Sequence, residues 1–129
     1  MNDDERGKIR RDEFASILRD FSGLRYGKIT PTDIDFFIDF GNRIFIIGEL
    51  KYGDVQLPIG QRLALERLSD ACSEVIEVVY VLVARHECQP GEKIDTGKCV
   101  VTEYRNCGKW IKPKIELTVR EAIDRIVES

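Results

Sequence analysis

No stretch of this 129-residue chain is apolar for anything near the roughly 20 residues that a membrane-spanning helix needs. The opening, MNDDERGKIRRDEF, carries charge where a secretory signal would carry an apolar core. A cytoplasmic chain with no membrane partner is therefore expected. The four cysteines, Cys72, Cys88, Cys99 and Cys107, include no Cys-x-x-Cys pair, and without a secretory signal a disulfide framework is not expected. Bulk positive charge is missing too: 20 basic residues face 23 acidic ones, a net charge of −3, which excludes a protein that coats nucleic acid through overall charge. There is no internal repeat and no low-complexity tract.

What is present suits one globular domain spanning residues 1–129, long enough to bury a core and too short for a second. Charge is unevenly spread. Residues 31–56 hold five acids against two bases, a local −3, whereas residues 85–114 hold seven bases against four acids, a local +3. An acidic centre beside a basic margin is what a metal-dependent phosphodiesterase requires.

The most informative stretch is residues 29–51, ITPTDIDFFIDFGNRIFIIGELK. Read as two strands, it alternates with period two and sends successive side chains to opposite faces. Ile34, Phe36, Ile38 and Phe40 share one face of the first strand, with Asp33, Asp35, Phe37 and Asp39 on the other. In the second strand Ile44, Ile46, Gly48 and Leu50 oppose Phe45, Ile47, Glu49 and Lys51. A two-residue turn would set Ile34 against Glu49 and mix the faces. A three-residue loop, Gly41-Asn42-Arg43, pairs Phe40 with Ile44, Asp35 with Glu49 and Asp33 with Lys51, keeping each apolar set together. Two neighbouring carboxylates repel unless a cation lies between them, and hard oxygen ligands suit magnesium or manganese.

An Asp, a hairpin of this length and a Glu-x-Lys closing an apolar strand resemble the PD-(D/E)XK nuclease superfamily, in particular its Holliday-junction-resolvase-like and exonuclease-like branches. Here the residues are Asp33-Ile34-Asp35 and Glu49-Leu50-Lys51; Thr32 separates Pro31 from Asp33, so there is no Pro-Asp dipeptide. The resemblance implies a restriction-endonuclease-like α/β fold, an αβββαβ core with a central mixed sheet flanked by helices. It also implies a Mg²⁺ cofactor, with Mn²⁺ as substitute, held by Asp35, Glu49 and Asp33 as direct or supporting ligands and by the Leu50 carbonyl. Lys51 would orient the attacking water, and the substrate would be DNA undergoing replication, recombination or repair. A homodimer is a further implied partner. The helix after Glu-x-Lys often carries a glutamine or a basic residue in this superfamily; GQRLALERL supplies Gln61 and Arg62 as substrate contacts, with Leu65 where the exonuclease-like branch shows tyrosine.

Elsewhere, residues 4–21 read as an amphipathic helix with Ile9, Phe14, Ile17, Leu18 and Phe21 on one side and Glu13 on its charged side. Leu24–Lys28 reads as a short strand whose Arg25, Tyr26 and Lys28 are placed to touch phosphate. A helix is expected from about Pro58 to Cys72, with Ile59, Leu63, Leu68, Ala71 and Cys72 facing the core. Residues 75–84, VIEVVYVLVA, read as a central parallel strand buried on both faces. Lys98–Tyr104 reads as a strand, Trp110 as a packing residue or a base-stacking one, and Thr118 with Glu121 as the capping box of a last helix. Two other functions fit parts of the pattern: a catalytically inactive nuclease-fold module that binds nucleic acid or a protein partner, and a zinc-stabilised domain using His86, Cys88, Cys99 and Cys107.

Overall fold

The hairpin expected within residues 29–51 forms with the register its alternation requires. In the computed structural model, which describes residues 19–129, β1 (Phe36–Phe40) pairs antiparallel with β2 (Ile44–Tyr52), Phe40 opposite Ile44 and Phe36 opposite Gly48. Gly41 and Asn42 take positive φ, 63° and 66°, in the three-residue loop, and Asp39 Oδ1 accepts a 2.6 Å hydrogen bond from the Asn42 amide. Glycine and asparagine tolerate that backbone region better than other residues.

The chain divides after Pro31 into two compact units. In the first, a 3₁₀ turn at Ser22–Leu24 is followed by a tight reversal in which Tyr26 and Ile29 exchange backbone hydrogen bonds across Gly27 and the exposed Lys28. That bridge replaces the expected strand at Leu24–Lys28, because Gly27 with φ of 64° turns the chain back on itself. Of the expected helix at 4–21, residues 4–18, Glu13 among them, lie outside the described residues, and residues 19–21 are not helical.

The second unit is α/β. Five strands lie in the order β1-β2-β3-β4-β5, with β3 at Val78–His86, β4 at Val100–Asn106 and β5 at Lys109–Ile111. Helix α1 (Ile59–Cys72) makes the crossover from β2 to its parallel neighbour β3, and all other pairings are antiparallel, so the sheet is mixed. Strand β3 has the double-sided burial predicted from its β-branched run, starting at Val78 instead of Val75 because Val75 and Ile76 close the turn after α1. Cys107 and Gly108, both at positive φ, form the β4–β5 turn. Helix α2 (Val119–Glu128) begins in the expected capping box, with Thr118 and Glu121 bonding each other's backbone amides.

Each helix covers one face of the sheet. On the α2 side Ile46, Leu82, Val101, Val119, Ala122 and Ile123 form a core joined by Phe36, Ile38 and Phe40. On the α1 side Ile47, Leu65, Ile76, Val79, Val81 and Val83 form a second core. Complete burial of side chains such as Ile46, Ile47 and Leu82 stabilises the fold by about 1.5–3 kcal/mol each. Two expectations fail here. Ile34 packs on the α1 side and not with Phe36, because the chain bends at Asp35 and the alternation of β1 begins only at Phe36. Helix α1 buries Leu65 and Ser69, whereas Ile59 is 78% and Leu63 42% exposed, and Leu68 and Ala71 are exposed as well. Its inner face is mixed: Leu65 and the expected Cys72 pack on the α1-side core, while Arg62, Glu66 and the exposed Asp70 bond groups on β4 and β5.

Gly48 lies directly across from Phe36, and the Phe36 ring occupies the space a side chain at Gly48 would need. Gly48→Ala is therefore expected to destabilise the protein by about 1–3 kcal/mol, and Gly48→Val by more. Urea unfolding checks this; an unchanged midpoint for Gly48→Ala would show that the ring does not fix this register.

Candidate active site

Strand β2 lies inside the sheet, between β1 and β3, and delivers Glu49 and Lys51 to the α1 side near its C-terminal end. Glu49 is only 4% exposed. A carboxylate so deep in a sheet is costly unless its surroundings answer its charge. Lys51 Nζ lies 3.5 Å from Glu49 Oε1, while Glu49 Oε2 is buried with no hydrogen-bond partner among the described residues.

Asp35 stands at the bend just before β1. Its amide donates to the Gly48 carbonyl at 3.2 Å, and its Oδ2 accepts a 2.7 Å hydrogen bond from the Leu50 amide. That clasp continues the hairpin register by one residue and sets Asp35 next to Glu49. Asp33 meets the site through its backbone: its carbonyl accepts from Gln61 Nε2 at 3.4 Å. Leu50 likewise enters through its main chain.

Gln61, in the first turn of α1, binds both sides of the hairpin. Its Oε1 accepts from Lys51 Nζ at 2.9 Å while its Nε2 reaches the Asp33 carbonyl. The amide thus aims the ammonium, and the Lys51 side chain is 19% exposed. Arg62 is engaged elsewhere: it forms a bidentate pair with Glu103 at 2.8 and 3.1 Å, and its guanidinium lies 4.1 Å from the centre of the Trp110 ring. A fork-shaped cation bound to a carboxylate and stacked on an indole is a structural clamp. Lys28 belongs to the first unit.

Desolvation, first, and the negative charge of Asp35, second, push the Glu49 carboxyl up to about 7; the Gln61 amide and the Lys51 ammonium pull the other way without cancelling them. Near neutral pH Glu49 therefore keeps its proton far more readily than an ordinary glutamate.

Among the described residues no group of three or more His, Cys, Asp or Glu is gathered to hold a metal ion. The site therefore offers two carboxylates and main-chain oxygen, not a cage. The residues of the zinc reading are otherwise engaged: His86 Nδ1 accepts from the Cys88 amide, Cys88 and Cys99 Sγ donate to the carbonyls of Lys93 and Asp95, and Cys107 lies on the β4–β5 turn.

Sequence reasoning missed Glu103, Arg105 and Arg85. Glu103 and Arg105 are buried on β4, where Arg105 bonds both oxygens of Asp70 at 3.2 and 3.1 Å. Their signal was faint, since one acid and one base in the strand VVTEYRN look like surface alternation. Arg85 was more accessible: it ends the apolar run of β3 on the same parity as Val79, Val81 and Val83, which puts it on the α1 side beside Lys51.

No family model, no curated protein and no solved structure matches the chain.

The raised Glu49 value fixes the sign of a pH effect. The folded protein binds a proton that the unfolded chain releases between the ordinary carboxylate value of 4.5 and about 7, so metal-free stability is highest at the acid end of that window and falls as the pH rises through it. The loss is expected to be on the order of 1–3 kcal/mol, and Glu49→Gln, which keeps the shape and cannot ionise, should remove it. Thermal melts of both proteins in chelator across this window measure the difference; parallel pH profiles would mean that Glu49 titrates as it does in water.

Proposed function

We propose that this chain is a Mg²⁺-dependent nuclease with a restriction-endonuclease-like core, hydrolysing phosphodiester bonds in DNA. One observation carries the reading: Asp35 and the buried Glu49 come together across a hairpin, with Lys51 beside Glu49 and aimed by Gln61. The resemblance of Asp-Ile-Asp and Glu-Leu-Lys to the PD-(D/E)XK pattern supports it, as does the crossover that joins β2 to a parallel β3 through α1.

The residues fit a small hard cation. Asp35, Glu49 and the Leu50 carbonyl would hold it, with Asp33 supporting from the adjacent backbone; the unpartnered Glu49 Oε2 and the raised carboxyl value mark a place where positive charge is wanting. Magnesium commonly takes only one or two protein carboxylates and keeps several waters, which suits a site where, among the described residues, no cluster of three acids is gathered. When bound, such an ion neutralises charge on phosphate oxygens and lowers the pKa of a coordinated water.

The chain's own groups do the rest. Lys51 Nζ, held by Gln61 Oε1, orients the attacking water and donates to a phosphate oxygen as negative charge grows on it. Gln61 keeps that ammonium from collapsing fully onto Glu49, which leaves the carboxylate free to bind the cation. The Arg62–Glu103 pair and Trp110 fix α1 to the sheet so that Gln61 stays in register.

Purified protein incubated with labelled linear, branched and single-stranded DNA and Mg²⁺ or Mn²⁺ should cut at least one of these substrates. Lys51→Ala should lower the rate by about 10²–10³-fold with the fold intact, the usual effect of losing a group aimed at developing charge. Glu49→Gln should abolish cleavage together with calorimetric Mn²⁺ uptake. Cleavage by Lys51→Ala at the wild-type rate would defeat the assignment; DNA binding without cleavage by the wild type would favour a binding module instead.

A further inference from the structure

Beside Lys51 the surface opens into a pocket of about 180 Å³, bordered by the β2–α1 loop, by the ends of β3 and β4, and by Lys112 just after β5. It is smaller than the roughly 300–1,000 Å³ of pockets that enclose a whole drug-sized ligand, so it receives a group and not a complete molecule.

Its charge is unusual for a sheet. Lys51 and Arg85 are direct partners on the parallel strands β2 and β3, on the same face. Like charges placed directly opposite each other destabilise a sheet unless an anion lies between them. Lys51 is bonded to Gln61 and Glu49, but the half-buried Arg85 side chain has no hydrogen-bond or ion-pair partner among the described residues, and neither does that of Lys112. Two acids border the pocket. The Glu103 carboxylate is taken at both oxygens by Arg62, and Asp54 is exposed on the loop.

A β-bulge shapes the floor. Pairing between β3 and β4 slips between Val83 and Ala84, leaving Thr102 as the extra residue, and its Oγ1 donates to the Val83 carbonyl at 3.2 Å. Bulges re-aim side chains where a strand borders a site. Here the slip puts Thr102 on the pocket wall beside Glu103.

From the facing cations, the unpaired guanidinium and the size of the opening, we infer that this pocket is a second anion site, which takes a phosphoryl group of the nucleic acid one step along from the bond that is cut. Arg85 grips it by its planar fork and Lys112 closes over it as a point charge. The inference rests on the nuclease reading for the identity of the anion's bearer, and on the pocket alone for its chemistry. That group is either a terminal phosphate, which would hold a strand by its end, or an internal phosphodiester.

The test separates the pocket from catalysis by working in chelator, where nothing is cut. Inorganic phosphate titrated into ¹⁵N-labelled protein should shift the backbone amides of Arg85, Thr102 and loop 53–57, and those shifts should vanish in Arg85→Ala/Lys112→Ala. Anisotropy with labelled oligonucleotides should show about tenfold weaker binding by the double variant and a salt slope reduced by about 1–2. Lys112→Glu, a change at an exposed position outside the strands, should weaken binding at least as much as Lys112→Ala. If a 5′- or 3′-phosphorylated strand binds more tightly than its hydroxyl counterpart and the variants erase only that advantage, the group is terminal; equal weakening on all strands makes it internal. Phosphate shifts scattered over the surface, or unchanged binding by the folded double variant and by Lys112→Glu, overturn the proposal. A wild type that cuts with Mg²⁺ while the double variant binds normally would leave the nuclease reading standing without this pocket. A wild type that never cuts but binds phosphate through Arg85 would do the reverse.

Discussion

Everything at this site follows from one costly placement, a carboxyl group inside a central strand. A buried ionised acid loses several kcal/mol of hydration, and a nearby cation returns only part of it. At Glu49 the return is incomplete: Lys51 lies 3.5 Å from one oxygen and, among the described residues, nothing bonds the other. Asp35 makes matters worse by adding a second negative charge, and its own position is not free to relax, because the Leu50 amide holds its Oδ2. A fold that needed only stability would put an apolar residue at position 49. In the proposed nuclease, proton and cation would compete for the same oxygens.

Such a site works only if its surroundings do not yield, and the means is a polar seam between α1 and the sheet. Arg62 spans to Glu103, Trp110 Nε1 donates to Glu66 at 2.7 Å, and Arg105 bonds Asp70 while lying 3.9 Å from Glu66. Below the seam the same helix buries Leu65 against Val79 and Val81. The apolar contacts fix the distance of the helix from the sheet, and the paired charges fix its rotation and its shift along its axis, since bidentate arginine geometry tolerates little sliding. Gln61, one residue before Arg62, inherits that precision and passes it to Lys51.

This division of labour explains what could and could not be read from the sequence. The hairpin was legible because, of a two-residue turn and a three-residue loop, only the loop keeps Phe36, Ile38 and Phe40 on one face with Ile44, Ile46 and Gly48, and a one-residue slip would have inverted a whole strand. Strand β3 was legible from its β-branched run, and α2 from Thr118, Glu121 and its single apolar stripe. Helix α1 misled for a physical reason. Hydrophobic periodicity assumes that the buried side is the apolar side, yet Arg62, Glu66 and Asp70 reach to partners at Glu103, Trp110 and Arg105, 35 to 44 residues away in sequence. Long-range polar pairs leave no local pattern. Arg62 consequently reads as a substrate contact in the sequence and is a clamp in the fold, while Arg85, at the end of an apolar run, was passed over.

In sheets with parallel strands, ligands gather outside the carboxyl ends of those strands, where connections diverge and loops leave space. Among the described residues β2 and β3 are the only parallel pair, and each is antiparallel to its other neighbour, so the mode of pairing changes at both strands. Glu49 and Lys51 lie toward the carboxyl end of β2, Arg85 lies at that of β3, and the chain leaves β2 for the first turn of α1, where Gln61 sits. The acids, the aligned lysine and the unpaired arginine therefore crowd the place where a ligand would be sought in this sheet even if the side chains were erased. A salt-bridged surface margin would have no reason to choose that end, and among the described residues it would not leave one oxygen of Glu49 without a partner and Arg85 without an acid.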